Sequence, residues 1–308
     1  MFTTLISLYL TTLLNQLPQA EVARPTGNIN SSALADILSA YPVPSPIQSE
    51  KQSNTAEASS STSSPDIKAS AYIGLDIRSG KILIEKNTKE KRSIGSITKL
   101  MTALIILDEN NINDVVNVPV ETTQVEGSKI WLTPKEKITI KDLLYAMLIH
   151  SGNDAAYALA LHNSGSIEAF VSKMNEKARK LGLTQTHFGN PAGLDRDNNY
   201  SSAYDVSQLG VYAYRNNFIR STVAISKITI SSISGLFKHE LKSTNELLER
   251  DSRIKGLKTG YTVEAGHSFV GVAMLGNGTP ILTVVLDSPD RFKETTTLVD
   301  WISHNYIW

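Results

Sequence analysis

Gly95-Ser96-Ile97-Thr98-Lys99-Leu100-Met101-Thr102-Ala103-Leu104-Ile105-Ile106-Leu107 is the stretch on which the fold turns. From Thr98 onward its residues are mostly good helix formers, and the apolar ones crowd one broad face, which predicts a buried helix starting near Ser96. In such a helix Ser96 and Lys99 stand at i and i+3, one turn apart on one face. A serine at a helix start also has unpaired backbone N–H groups and the positive end of the helix dipole beside it. One short segment thus offers a nucleophile, a base and part of an oxyanion site. Taken alone, S-x-x-K is a weak pattern: such a serine is ordinarily an N-cap, and such a lysine a solvated surface residue.

The flanking chain supplies the frame. Residues 69–76 and 81–85 alternate in polarity around Arg78-Ser79-Gly80, which predicts a β-hairpin. Beyond the Ser96 helix, residues 115–120 and 130–132 read as short strands, and Thr139 reads as the N-cap of a helix over 141–149. Helices over 155–162, 166–181 and 204–214 follow, with a loop rich in Asn, Gly, Pro and Asp at 184–202. Residues 223–231 alternate as a strand, with 237–241 as its hairpin partner, and 245–249 form a short helix. Residues 254–262 read as a strand, 268–275 and 280–286 as a hairpin through Gly276-Asn277-Gly278, and 291–301 as the closing helix. Strands lie at both ends with helices between. The expected class is therefore α+β: an antiparallel sheet built from the terminal strands, flanked by helices, with a helical subdomain.

Composition narrows the function. The 308 residues carry zero formal charge, which argues against a basic nucleic-acid-binding surface. Without cysteine there is no disulfide, thiolate metal site or thiol nucleophile. The six histidines form no H-x-x-x-H pair, and the sequence implies no metal or organic cofactor. Residues 1–17 are apolar and uncharged, short for a membrane span and of the right length for a secretory core, although no Lys or Arg precedes them and no clean A-x-A follows. Residues 1–23 are accordingly expected to be a signal peptide or, uncleaved, a membrane anchor. The protein would then be exported, periplasmic or otherwise extracytoplasmic. Residues 24–67 contain Pro25, Pro42, Pro44, Pro46 and Pro65, and eight serines from Ser45 to Ser64, a composition expected of a disordered linker. Residues 68–308 are the expected catalytic domain.

Two further short motifs follow Ser96-x-x-Lys99: Ser151-Gly152-Asn153, 55 residues on, and Lys258-Thr259-Gly260, 107 residues after that. Each is weak alone, but the ordered set on a helix start, an interhelix loop and a strand is specific, and it is the pattern of penicillin-binding proteins and class A β-lactamases. The chain most resembles the D-alanyl-D-alanine carboxypeptidases among the low-molecular-weight penicillin-binding proteins. The likeness rests on Ser-Ile-Thr-Lys-Leu-Met-Thr-Ala from Ser96, on Asp142-Leu143-Leu144 leading to Ser151-Gly152-Asn153-Asp154-Ala155-Ala156, and on Phe188-x-Asn190-Pro191-x-Gly193-Leu194. Tyr200-Ser201-Ser202-Ala203-Tyr204-Asp205, Thr244-Asn245-x-Leu247-Leu248 and Gly256-Leu257-Lys258-Thr259-Gly260-Tyr261-Thr262 extend it across 68–308. The chain departs from the family at Ile94-Gly95, where Pro-Ala is usual, and at Lys135, where Gly is frequent. The sequence stops at Trp308, before the β-rich second domain and C-terminal anchor that many relatives carry, and membrane contact is expected at the N-terminus.

The resemblance implies roles. A serine hydroxyl needs a base, and a lysine serves when desolvated and set near another cation. Lys99 is the expected base for acylation of Ser96, Lys258 the second cation, and Ser151 the relay of the proton to the leaving amine. Asn153 would hold the substrate peptide group, and Lys258 and Thr259 its terminal carboxylate. Gly260 would let the substrate backbone lie along the strand, and the oxyanion would bind the N–H groups of Ser96 and Tyr261. Arg291 is either a family-type arginine at the carboxylate end or a solvated helix-start residue. Asp205 reads as a cap or loop brace, His150 and His267 as non-catalytic neighbours, and Trp131 and Trp301 as core.

The leading functional expectation is a serine-type carboxypeptidase trimming D-Ala from peptidoglycan stem pentapeptides and acylated by penicillins and other β-lactams. D,D-endopeptidase action on cross-links is the near alternative. A β-lactamase would need a deacylating carboxylate; Glu168, Asp195, Asp197, Asp205 and Glu240 are acids in the right interval, but none sits in E-x-x-L-N. A non-catalytic wall-binding protein is the remaining reading.

Overall fold

Short polar residues start most of the helices, each for a visible reason. The computed structural model describes residues 64–195 and 198–308, together with Ser45 and Pro46. Thr139 accepts from Asp142 N at 3.0 Å, Ser166 from Ala169 N at 3.1 Å, and Ser202 from Asp205 N at 3.2 Å. Asn216 accepts from Phe218 N and Ile219 N, and Asp290 from Lys293 N. Each satisfies an otherwise unpaired amide of a first turn.

In chain order the strands are β1 (Ala71–Asp76), β2 (Ile82–Lys86), β3 (Val115–Asn117), β4 (Lys137–Thr139), β5 (Lys227–Ser231), β6 (Lys238–Lys242), β7 (Ile254–Thr262), β8 (Gly266–Met274) and β9 (Pro280–Ser288). The helices are α1 (Lys99–Glu109), α2 (Ile140–Ile149), α3 (Asn153–Ser164), α4 (Ile167–Lys180), α5 (Ala203–Arg215), α6 (Asn217–Val223), α7 (Leu247–Arg250) and α8 (Arg291–Asn305). Ser45–Pro46 pairs antiparallel with Tyr306–Ile307.

The terminal strands form one five-stranded antiparallel sheet in the order β2-β1-β9-β8-β7, with Ile73 opposite Val284 and Val284 opposite Val270. Its two faces are covered by different helices. Cβ atoms on Gly74 and Gly271 would strike Ile302 and Thr295 of α8, whereas one on Gly210 of α5 would strike Leu282 and Val270. Phe269, Ile281, Val299 and Ile302 fill the α8 side. Ile73, Val270, Leu282 and Val284 join the helices on the other side in the main core. At its centre is α1, buried along Leu100–Ile106.

The α+β expectation matches this architecture, and the departures from it are local. The helix does not start at Ser96. Gly95–Thr98 forms a 3-10 turn whose N-cap position is Ile94, and the α-helix begins at Lys99. Residues 130–132 are not a strand, because the amides of Ile130 and Leu132 donate to the Asp154 carboxylate and β3 pairs with Lys137–Thr139 instead. The strand expected over 223–231 begins only at Lys227; the Asn216 cap winds Asn217–Val223 into a helix. Trp131, expected in the core, is 74% exposed, while Trp301 is half-buried. All described residues belong to one compact unit, Tyr41–Trp308. The expected leader and almost all of the expected linker lie outside the described residues. Among the described residues no helix is long and apolar enough to cross a membrane.

Candidate active site

Ser96 sits partly exposed on the 3-10 turn, which is pressed against β7. A Cβ on Gly95 (φ +52°) would lie 3.0 Å from Tyr261 N, and one on Gly260 only 2.4 Å from Ile94 O. Gly260 therefore admits the serine turn to the strand, a duty additional to the clear path for substrate expected of it.

One turn on, Lys99 is completely buried, and its Nζ lies 2.7 Å from Ser96 Oγ, 2.7 Å from Asn153 Oδ1 and 2.8 Å from Ala192 O. An amide oxygen and a carbonyl can only accept. A neutral amine donates its two hydrogens to them and turns its lone pair to the third neighbour, the Ser96 hydroxyl. Burial drives Lys99 well below the ordinary lysine range, the Lys258 charge adds to this, and Asp154 opposes it.

The Ala192 carbonyl is aimed by its own loop. Asn190 Oδ1 accepts from the amides of Ala192, Gly193 and Leu194 at 3.1, 2.7 and 3.0 Å, curling 190–194 into a tight turn. Gly193 (φ +85°) lets that turn touch the serine segment, since a Cβ there would sit 1.9 Å from Gly95 O.

The second motif links α2 to α3. Ser151 is buried in a left-handed conformation, φ +66°, and its Oγ accepts from Lys258 Nζ at 2.9 Å. Asn153 donates from its backbone to Ser128 O at 2.7 Å and from Nδ2 to Glu126 O at 2.6 Å, which leaves Oδ1 for Lys99. Asp154, quoted in the motif but given no role, is fully buried and holds the loop before α2 by accepting from Ile130 N and Leu132 N.

The third motif lies on β7. Lys258 Nζ also donates to Thr259 O at 3.1 Å, and the two threonine hydroxyls of Thr259 and Thr244 are 2.6 Å apart. Burial, with the Arg291 guanidinium nearby, lowers Lys258 to about 7. Arg291 is not a solvated helix-start residue: its Nη1 donates to Gly260 O at 2.9 Å, and burial lowers its own pKa. Tyr261 presents its ring to solvent, stacked on His267 with centroids 4.6 Å apart.

A cleft of about 450 Å³ opens over this arrangement, lined by Ser96, Asn153, Gly193, Asp195 and Tyr261 among others. Asp195 spends its oxygens on Ser93, Thr262 and the Glu264 amide. Asp205 braces the loop through Gln185 N and Thr186 Oγ1. Glu168 lines a separate cavity, Glu240 is exposed on β6, and Asp197 lies outside the described residues. His150 borders another cleft, with Thr244. Sequence reasoning missed the Ala192 carbonyl and Asp154. A backbone acceptor has no side-chain signature, and the only sign of the second was its place beside Asn153.

The sequence profile described as D-alanyl-D-alanine carboxypeptidase, peptidase family S11, matches residues 58–290. The chain is 34% identical to D-alanyl-D-alanine carboxypeptidase DacF of Bacillus subtilis over 78% of its own length and 63% of that protein's, so it spans just under two thirds of that relative. It is 30% identical to the D-alanyl-D-alanine endopeptidase of Escherichia coli over 80% of each chain. The crystal structure of the Streptomyces K15 DD-transpeptidase superposes with a TM-score of 0.74 at 30% identity, covering 78% of this chain and 98% of that one. With the profile spanning most of its length and these relatives sharing its fold, the chain belongs to the D-alanyl-D-alanine carboxypeptidase family.

Proposed function

We propose that this protein is a serine-type D-alanyl-D-alanine carboxypeptidase that trims peptidoglycan stem pentapeptides through a Ser96 acyl-enzyme. The observation that carries the reading is the Lys99 amine, buried without a carboxylate among its three hydrogen-bond neighbours and 2.7 Å from Ser96 Oγ. Lys99 takes the Ser96 proton as Oγ attacks the carbonyl carbon of the penultimate D-Ala. The N–H groups of Ser96 and Tyr261 receive the oxyanion. Ser151, bonded to Lys258, relays that proton from Lys99 to the departing D-Ala amine as the C–N bond breaks, and Lys99 is neutral again. Asn153 holds the stem peptide group, while Lys258, Thr259 and Arg291 gather the terminal carboxylate at the Gly260 end of β7. Water then attacks the ester with Lys99 again as base. β-Lactams acylate Ser96 by the same attack. The substrate places this action outside the cytoplasm, with residues 1–23 as export leader or anchor.

D,D-endopeptidase action is the second reading, supported by the Escherichia coli relative of that name. A β-lactamase reading is weaker, because Asp195, which lines the cleft and lies in the interval expected of a deacylating acid, already holds Ser93, Thr262 and Glu264. The test is incubation of the full chain with a stem pentapeptide ending in D-Ala-D-Ala and assay of free D-Ala, with Ser96→Ala in parallel. Release by wild type and none by the variant is expected. No release by folded wild type removes the reading. Release only from cross-linked dimers replaces it with the second.

A further inference from the structure

Two loop tips that the catalytic argument does not use lie side by side. Ile233 N, at the turn of the β5–β6 hairpin, donates to Lys137 O at 2.8 Å, and His239 of β6 has Nδ1 3.0 Å from Ile130 O and Nε2 2.9 Å from Glu136. The hairpin tip is thereby fixed against the loop that carries Trp131. That loop is itself held from behind by Asp154, and Trp131 takes a left-handed backbone conformation, φ +63°, that turns its ring outward.

The surface so made is unusual in composition. Trp131 is 74% exposed, Ile233 57%, Leu236 81% and Phe237 37%. Lys135, Lys137 and Lys238 are exposed beside them, and Lys129 lies over the Trp131 ring at 4.5 Å. The single acid within 128–138 and 231–239, Glu136, is buried against His239. Water-exposed tryptophan, leucine, isoleucine and phenylalanine are costly on a surface with no apolar partner. Glu240, exposed two residues along β6 from Lys238, sets one negative charge against these four lysines, and apolar tips with such a net positive fringe match the boundary of an anionic bilayer. There acyl chains take the apolar side chains, headgroups take the ammonium groups, and tryptophan sits at the interface.

We infer that Trp131, Ile233, Leu236 and Phe237, with Lys129, Lys135, Lys137 and Lys238, form a docking face for an anionic lipid bilayer. Ser128, three residues before Trp131, lines the catalytic cleft, so the docked face holds that cleft near the membrane surface. This contact is independent of any anchor at residues 1–23 and of the reaction performed at Ser96.

The absence of cysteine makes the test direct. Full-length Leu236→Cys carries an environment-sensitive dye at its single thiol. It is mixed with vesicles of phosphatidylcholine alone or containing phosphatidylglycerol, with Ser303→Cys on the exposed side of α8 as the comparison. On the anionic vesicles the dye at 236 is expected to shift to the blue and lose access to aqueous iodide, while the dye at 303 does neither. Lys137→Gln with Lys238→Gln should weaken vesicle binding about thirtyfold and leave D-Ala release from soluble pentapeptide unchanged. The inference is overturned if the dye at 236 stays water-accessible on vesicles that carry the protein, or if anionic vesicles do not bind it. It is equally overturned if the dye becomes buried without lipid as the chain self-associates.

Discussion

Asn153 Oδ1 lies 2.7 Å from Lys99 Nζ, on the same nitrogen that stands 2.7 Å from Ser96 Oγ. A neutral acceptor at that point leaves the amine free to lose its proton, whereas a charged one would not. Asn153→Asp should therefore raise the Lys99 pKa by roughly 1–3 units. The neutral base would then form only at higher pH, and the acid limb of kcat/KM would move upward by the same amount. Asn153→Ala should lower activity without that upward move. The pH–rate profile on soluble pentapeptide separates the two, and an unmoved limb in Asn153→Asp would exclude Lys99 as the base.

Lys258 is lowered to about 7 by burial and by Arg291, so its charge costs the fold stability. Its native pKa lies below the ordinary 10.5, so below pH 7 the folded state carries the whole cost of a buried charge. Between pH 7 and 10.5 that cost fades as the unfolded chain loses its own preference for the proton. Lys258→Met should abolish D-Ala release yet raise the melting temperature at pH 6, by at most about 5 kcal/mol of stability, with the gain vanishing near pH 10.5. Calorimetry at both ends of that range checks the sign. A variant less stable than wild type at pH 6 contradicts it.

Gly193 has no room for a methyl group. A Cβ there would sit 1.9 Å from Gly95 O at φ +85°, so Gly193→Ala must push the 190–194 turn away from the serine segment and take Ala192 O with it. We expect a loss of roughly 3 kcal/mol or more, together with loss of acylation by a fluorescent penicillin. Gly235→Ala, also at positive φ (+72°) but with open space around its Cβ, should cost about 1 kcal/mol and spare acylation. Parallel thermal melts make the comparison.

Asp154 acts on two levels. Its carboxylate receives Ile130 N and Leu132 N, and its charge opposes the fall of the Lys99 pKa. Asp154→Asn should cost about 1–3 kcal/mol, since one oxygen must serve amides that two served. It should also let Lys99 become neutral at lower pH, so the acid limb moves downward, opposite to Asn153→Asp. A stability loss with no downward move would leave Asp154 a purely structural brace.

The helices over 141–149, 166–181 and 204–214 were legible because amphipathic runs, and a cap such as Thr139, are local, whereas the short helix behind the Asn216 cap was not read. The strand 280–286 was legible from its nearly continuous apolar run, and 254–262, broken by lysines, threonines and glycines, from the Lys258-Thr259-Gly260 motif it carries. What failed was non-local. Residues 130–132 look like a strand, yet a carboxylate 22 residues away claims Leu132 N. Trp131 looks like core, but that same claim on both neighbours turns it outward. Ser96 looks like a cap, whereas the turn around it follows from the contact with β7 that Gly95 and Gly260 allow. In the site, motifs made of side chains were visible in sequence. The Ala192 carbonyl and the burial that lowers the Lys99 pKa depend on the assembled chain.

The sheet closes by joining the beginning of the domain to its end: Ala69 N reaches Glu294 across 225 residues, and β1 pairs with β9. Contacts of such sequence separation carry the largest loop-closure entropy and form late. During synthesis the Ser96–Lys99 segment emerges long before Lys258 and Arg291. Burial and the Lys258 charge are what lower the Lys99 pKa, so the segment by itself lacks the environment its base needs. The reactivity of this serine is thus a property of the closed sheet and not of the short segment that carries it.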